Sequence, residues 1–122
     1  MTIREVIAQV DGRLANTYEQ KEKINGLSQL DQRVKTLIID THEGAQDVIF
    51  SGYDTQTDLD TVLLVPAPFD DIYLRWLEAQ IYYYNQEEAR CNNATDAFNV
   101  RWGEFWNDYN RKHMPLGQKL SV

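Results

Sequence analysis

Cysteine, basic residues and long apolar runs are scarce in this 122-residue sequence. The one cysteine, Cys91, excludes an internal disulfide and cannot complete a zinc site by itself. No apolar run approaches the ~20 residues of a bilayer span, so we expect a soluble protein, made in the cytoplasm, with no membrane partner. The sequence has 19 Asp and Glu residues and only 12 Lys and Arg residues, which gives a net charge of −7. That acidity argues against a protein that binds DNA by neutralising phosphates.

The remaining composition, with 43% hydrophobic and 25% charged residues, is typical of a globular domain. A chain of this length can bury enough apolar surface to fold without disulfides or a structural metal. We therefore predict a single helical domain over residues 1–115, followed by a tail over residues 116–122.

Helix signals fill the first third of the chain. Thr2 and Glu5 form a T-x-x-E capping box, and the apolar residues that follow recur on one helical stripe. We divide the next helical region at Asn25-Gly26 into two pieces, at roughly 18–25 and 28–41. Glycine weakens a helix interior, and Ser28 offers a new N-cap.

The pattern changes between residues 47 and 65. The short β-prone runs DVIF (47–50) and TVLLV (61–65) flank the polar, acidic stretch SGYDTQTDLD (51–60). This pattern predicts a short β-ribbon or an extended arm inserted into an otherwise helical chain.

The last long segment again has a helical pattern. From Phe69 to Lys112 there is no proline, the only glycine is Gly103, and apolar residues keep an alternating three-and-four spacing. A single helix of about 40 residues is rare in a small domain. We favour an antiparallel hairpin that breaks between Asn85 and Asn93, with one bent long helix as the alternative. The predicted fold is thus mainly α, with four to five helices, a long C-terminal helical hairpin and the ribbon or arm at about 47–65.

Catalytic and metal-binding motifs fail at their decisive positions. An EF-hand loop needs glycine at its sixth and glutamate at its twelfth residue, and counted from Asp54 these are Leu59 and Val65. The run HEGAQ, which begins at His42, lacks the second histidine of H-E-x-x-H. No nucleophile elbow, Walker loop or dinucleotide-binding motif is present. We expect no enzyme, no cofactor and no metal site.

Aromatic residues are concentrated in the last two predicted helices. One helical stripe can bury only about half of these rings, and exposed Tyr and Trp are typical of protein interfaces. We therefore expect self-association through the residues that fall off the stripe, Trp76, Tyr82, Tyr83 and Trp106. The ribbon or arm adds further candidate interface residues, Phe50, Tyr53, Asp54, Asp58 and Asp60.

Three segments together resemble a family of small phage and prophage proteins. They are IIDTHEG (38–44), FSGYD…DLDTVLLVPAPFDDIYLRWLEAQIYYYN (50–85) and RCNNATDAFN…YNRKHMP (90–115). The pattern is similar to that of head-tail connector, or head-completion adaptor, proteins. Typical members have Asn-Gly where this chain has Asn85-Gln86, and Tyr where it has Cys91.

The resemblance implies a virion structural protein of the neck, a mostly helical adaptor. It would assemble as a ring of roughly a dozen copies beneath the portal after DNA packaging, which requires two different contact patches on each subunit. The implied partners are the portal protein and a tail-side protein, with DNA only as passing cargo, and acidic walls would repel its phosphates. No active-site residues come with the resemblance. The alternative is a small helical regulatory or protein-binding module of phage origin, whose aromatic surface receives a peptide or helix.

Overall fold

Helices account for most of the computed structural model, which describes residues 1–116. Within these residues there are four α-helices: α1 (Ile3–Arg13), α2 (Gln20–Leu37), α3 (Ile72–Tyr84) and α4 (Glu88–Lys112). Two 3₁₀ turns, Ile39–Thr41 and Ala45–Asp47, follow α2. The prediction of a mainly α fold is confirmed. The predicted tail, apart from Leu116, lies outside the described residues.

Helix α1 begins at the predicted capping box. The Thr2 hydroxyl accepts a hydrogen bond from the Glu5 backbone N–H at 3.1 Å, and the Glu5 carboxylate accepts one from the Thr2 N–H at 3.2 Å. These two bonds satisfy N–H groups that have no partner within a helix. The apolar stripe of α1 is buried, so a purely local signal places this helix correctly.

Helix α2 runs unbroken through Asn25-Gly26, and the predicted division there is wrong. Gly26 is buried against α3, and its carbonyl accepts a hydrogen bond from the Trp76 indole N–H at 2.8 Å. A Cβ at this position would lie only 2.4 Å from Gln80 Oε1. The close approach of α3 outweighs the ~1 kcal/mol that glycine costs in a helix. Ser28 does not cap a new helix, since its hydroxyl accepts the Tyr53 N–H instead, at 3.0 Å.

Helices α3 and α4 form the predicted hairpin, with the break at residues 85–87. The Gln86 N–H donates to the Tyr83 carbonyl at 3.1 Å, and the Glu87 N–H donates to the Tyr82 carbonyl at 2.9 Å. This is the Schellman pattern of helix ends, in which the residue after the cap takes a positive φ. Gln86 adopts φ 60°, the conformation that glycine would adopt with less strain.

Of the two predicted forms for residues 47–65, the extended arm is the one present, and residues 1–116 contain no β-strand. We call residues 48–65 the arm. Its carbonyls at Leu59 and Thr61 accept the N–H groups of Arg4 and Ile3, at 2.9 and 3.1 Å. Because these N–H groups lie in the first turn of α1, they have no partner inside the helix. The β-prone arm therefore finds its hydrogen bonds on a helix end, without a second strand.

Helix α3 contacts all three other helices, whereas α4 packs mainly on α3. The fully buried side chains of α3 include Ile72, Tyr73, Leu77 and Ile81. Helices α2 and α4 both pack on α3 without packing closely on each other. This arrangement leaves a groove between them with α3 as its floor.

Candidate interaction surface

A buried carboxylate fastens the arm to the helices. Asp31 of α2 is 0% exposed and accepts three hydrogen bonds: from the Tyr53 hydroxyl at 2.5 Å, the Tyr73 hydroxyl at 2.5 Å and the Leu64 N–H at 3.1 Å. The Tyr73 hydroxyl in turn accepts the Val65 N–H at 2.8 Å. One side chain of α2 thus holds the arm at Tyr53 and at Leu64, together with one tyrosine of α3.

The electrostatics of Asp31 reflect two opposing effects. Burial raises the pKa of Asp31 above 3.8, and the hydrogen bonds from Tyr53, Tyr73 and Leu64 lower it part of the way back. Burial, together with the nearby carboxylate, raises the pKa of Tyr53 and Tyr73. Both tyrosines therefore remain hydrogen-bond donors at neutral pH. Sequence reasoning missed this network, because its members are separated along the chain and Asp31 resembles an ordinary polar residue of the first turns of a helix.

The three predicted interface aspartates stabilise the loop in which they lie. Asp54 Oδ1 accepts the Gln56 N–H at 2.8 Å, and Asp58 Oδ1 accepts the Asp60 N–H at 2.9 Å. Such bonds from Asp to a backbone N–H two residues later form turns. The third carboxylate, Asp60, pairs with Arg4 at 2.9 Å. Their charge is exposed, and their interface role stays a prediction.

The apolar part of the arm divides into a packed and a projecting portion. Phe50 and Tyr53 are half-buried and meet edge to face, with ring centroids 5.1 Å apart. Ile49 is 91% exposed, the highest value among the exposed large apolar side chains of residues 1–116. Sequence reasoning chose Phe50 and Tyr53 and missed Ile49, although adjacent residues of an extended chain point to opposite sides.

Of the four off-stripe aromatics predicted to be exposed, only Tyr83 is, at 79%. Trp76, Tyr82 and Trp106 are partly buried, so the expectation of exposure is wrong for them. Trp76 packs on Phe98 at 5.1 Å between centroids, in addition to its hydrogen bond to α2. The prediction considered one stripe per helix, whereas α3 has neighbours on more than one side.

The groove between α2 and α4 has a volume of about 1120 Å³. Its lining includes Arg33, Trp76, Gln80, Tyr83, Cys91 and Phe98. The Arg33 guanidinium lies 5.6 Å from the Trp76 ring centroid, and it forms no ion pair with an acid among residues 1–116. A cation over an aromatic face is attracted by the ring quadrupole. The lining also includes Glu87, which pairs with Arg90 at 3.2 Å, and Glu88. The groove therefore combines an aromatic floor with charges of both signs.

Both histidines lie at the ends of helical segments, His42 after the 3₁₀ turn Ile39–Thr41 and His113 at the C-terminus of α4. His42 is 2% exposed; its Nδ1 contacts the Ile38 carbonyl and its Nε2 contacts the side-chain oxygen of Asn110. His113 stacks on Tyr109 with centroids 4.0 Å apart. His42 thus joins the end of α2 to the end of α4 with both ring nitrogens engaged.

No family model matches the chain, and neither a curated protein nor a solved structure matches it. Among residues 1–116 no three His, Cys, Asp or Glu side chains are grouped so that they could hold a metal ion. No helix in this part of the chain is long and apolar enough to cross a membrane.

Proposed function

We propose that this chain is a virion structural protein, a head-tail connector or head-completion adaptor of a tailed phage or prophage. Copies would assemble as a ring of roughly a dozen beneath the portal. The observation that supports this is that large apolar side chains are exposed at two separate places on a helical domain, Ile49 on the arm and Tyr83 with Tyr84 beside the groove. A subunit of a closed ring needs two different patches of this kind. The resemblance of three segments supplies the phage context.

The proposed role is assembly, without catalysis or a cofactor. Asp31, the least exposed of the buried charged side chains in residues 1–116, accepts hydrogen bonds that hold the arm, and the acidic loop uses its carboxylates in turns and in the pair with Arg4. In these contacts the charged side chains stabilise the arm and its loop. We propose that the partners are other copies of the chain, the portal and a tail-side protein, with DNA as passing cargo.

The proposed location is the neck of the virion, after assembly in the host cytoplasm. A net charge of −7 per copy suits a ring around a DNA channel, because acidic walls repel phosphates and let the genome pass. The salt dependence of DNA binding tests this point. Measurable retention of DNA by the assembled ring at ~150 mM salt would contradict a repelling wall.

Electron microscopy of the purified protein mixed with its portal tests the adaptor role. The expected result is a ring added to one face of the portal. In a phage or prophage that carries the gene, its deletion should give DNA-filled heads without tails. Normal tailed particles from the deletion strain would contradict the adaptor role, and a complementing wild-type copy is the control.

A helical protein-binding module of phage origin is the second candidate. The groove favours it, because its aromatic lining of Trp76, Tyr83 and Phe98 is also suited to receive a peptide or helix. Gene order separates the two functions. Portal and capsid genes upstream with tail genes downstream would favour the adaptor, and regulatory neighbours would favour the module.

A further inference from the structure

The inner part of the arm, residues 53–65, lies between two exposed connections, and we call it the strap. On one side, the backbone N–H groups of residues 49–52 have no partner within residues 1–116. Gly52 adopts φ 94° at this junction, a conformation that glycine reaches without strain. On the other side, residues 66–68 are exposed, and two of the three are prolines, which have no N–H. Movement of the strap therefore breaks no hydrogen bond within a helix.

Asp31 holds the strap near both of its ends. Its carboxylate accepts the Tyr53 hydroxyl at 2.5 Å and the Leu64 N–H at 3.1 Å. The same carboxylate accepts the Tyr73 hydroxyl of α3 at 2.5 Å, and that hydroxyl accepts the Val65 N–H at 2.8 Å. Hydrogen bonds that share a group polarise one another, so the loss of one weakens the others. The contacts of the strap with α2 and α3 are thus coupled through one side chain.

The strap is also fastened to the start of α1. The Ile3 and Arg4 N–H groups donate to carbonyls of the strap at 3.1 and 2.9 Å, and the Leu63 N–H donates to the Met1 carbonyl at 3.0 Å. The side chains of Leu63 and Val65 are buried in the core. The strap therefore joins the first turn of α1 to the Asp31 network by hydrogen bonds and by packing.

We propose that the strap opens as one unit, together with the first turn of α1, while α2, α3 and α4 stay folded. Asp31 is the latch, a positioning residue that acts on the anchors at α1 through the strap itself. Proteins open locally in contiguous cooperative units, and here the two exposed connections set the limits of the unit. The device gives the chain a second conformation, in which Asp31 and Tyr73 face solvent and the helical hairpin is intact. It is a property of the single chain and does not depend on the proposed adaptor function.

Amide hydrogen exchange, resolved by NMR at low urea concentrations, measures the opening of each segment. Six N–H groups join the strap to the rest of the protein, those of Ile3, Arg4, Tyr53, Leu63, Leu64 and Val65. We expect one common protection factor and one common urea dependence for these six, because the urea dependence reports the surface exposed on opening. Both values should be lower than those of Leu77 and Ile81 inside α3.

Two results of this measurement would overturn the proposal. Six protection factors that differ widely from one another would show that the anchors open separately. Six values equal to those of Leu77 and Ile81 would show that the strap opens only when the whole domain unfolds.

Tyr53→Phe tests the latch, because it removes one hydroxyl from Asp31 and leaves the aromatic ring in place. A hydrogen bond to a charged group is strong enough that its loss should accelerate exchange about tenfold. We expect this acceleration at all six N–H groups, including those of Ile3 and Arg4, which do not contact Asp31. Tyr84→Phe, which removes a hydroxyl from an exposed tyrosine of α3, is the matched control and should leave the six rates unchanged. Acceleration confined to the Tyr53 and Leu64 N–H groups would refute the coupling through Asp31.

Discussion

Removing the Asp31 carboxylate should loosen the arm and the α2–α3 contact together. In Asp31→Ala, the buried Tyr73 hydroxyl and the Leu64 N–H both lose their acceptor. A hydrogen bond to a charged group contributes about 1.5–3 kcal/mol, and an unsatisfied buried donor costs about 1–3 kcal/mol. Part of this is offset, because burial of the carboxylate is itself unfavourable, as its raised pKa indicates.

We expect a net loss of about 3 kcal/mol in the free energy of unfolding, a large share of the ~5–15 kcal/mol typical of a domain. The melting temperature should fall by about 10–15 °C. Urea unfolding followed by circular dichroism measures the change, and Gln29→Ala, an exposed substitution on the same helix, is the control. A value for Asp31→Ala within about 1 kcal/mol of wild type would refute the reasoning.

The pH dependence of stability offers a check on the same residue. Because the pKa of Asp31 is raised in the folded protein, the folded state binds its proton more tightly than the unfolded chain does. Above the raised pKa, ionisation of Asp31 therefore lowers stability, and this loss is recovered as the pH falls through the raised value towards 3.8. Asp31→Asn cannot ionise and should lack this component. A stability difference between wild type and Asp31→Asn that is constant across this window would contradict the raised pKa.

Three further predictions follow from local geometry. Gly103→Ala, with nothing within 4 Å of its new Cβ, should gain about 0.5–1 kcal/mol in the same urea titration. Gly26→Ala should gain less, because the Gln80 side chain, 2.4 Å from the new Cβ, and Leu77, at 3.1 Å, must move to make room. Equal effects of the two substitutions would contradict the packing at α2. Gln86→Gly should stabilise by about 0.5–1 kcal/mol through relief of its positive φ, and a destabilised variant would argue against the Schellman turn. Calorimetry with calcium should give no dissociation constant below ~10⁻⁵ M for the acidic loop 51–60, because Asp54 and Asp58 already accept hydrogen bonds from backbone N–H groups. Tighter binding would contradict that structural role.

The helices could be predicted from the sequence because their signals are local. The capping box at Thr2 acts through residues three positions apart, and the three-and-four spacing of residues 69–112 reflects the helical repeat itself. The break near Asn85 was predictable from helix length. For the same reason, the change of composition at 47–65 correctly marked a non-helical segment. Position off the main stripe was a poor guide to exposure, since of the four aromatics selected by it only Tyr83 is exposed.

The tertiary structure decided which of these features touch. From the local sequence, Gly26 is expected to break the helix. In the structure α3 lies against Gly26 and the helix continues, because packing contributes more free energy than helix propensity. The sequence pattern predicts that Trp76 is exposed, but in the structure α2 and α4 cover it from two sides. The burial of Asp31, the projection of Ile49 and the free charge of Arg33 depend on which distant segments pack together. Spacing along a single helix carries no information about those long-range contacts.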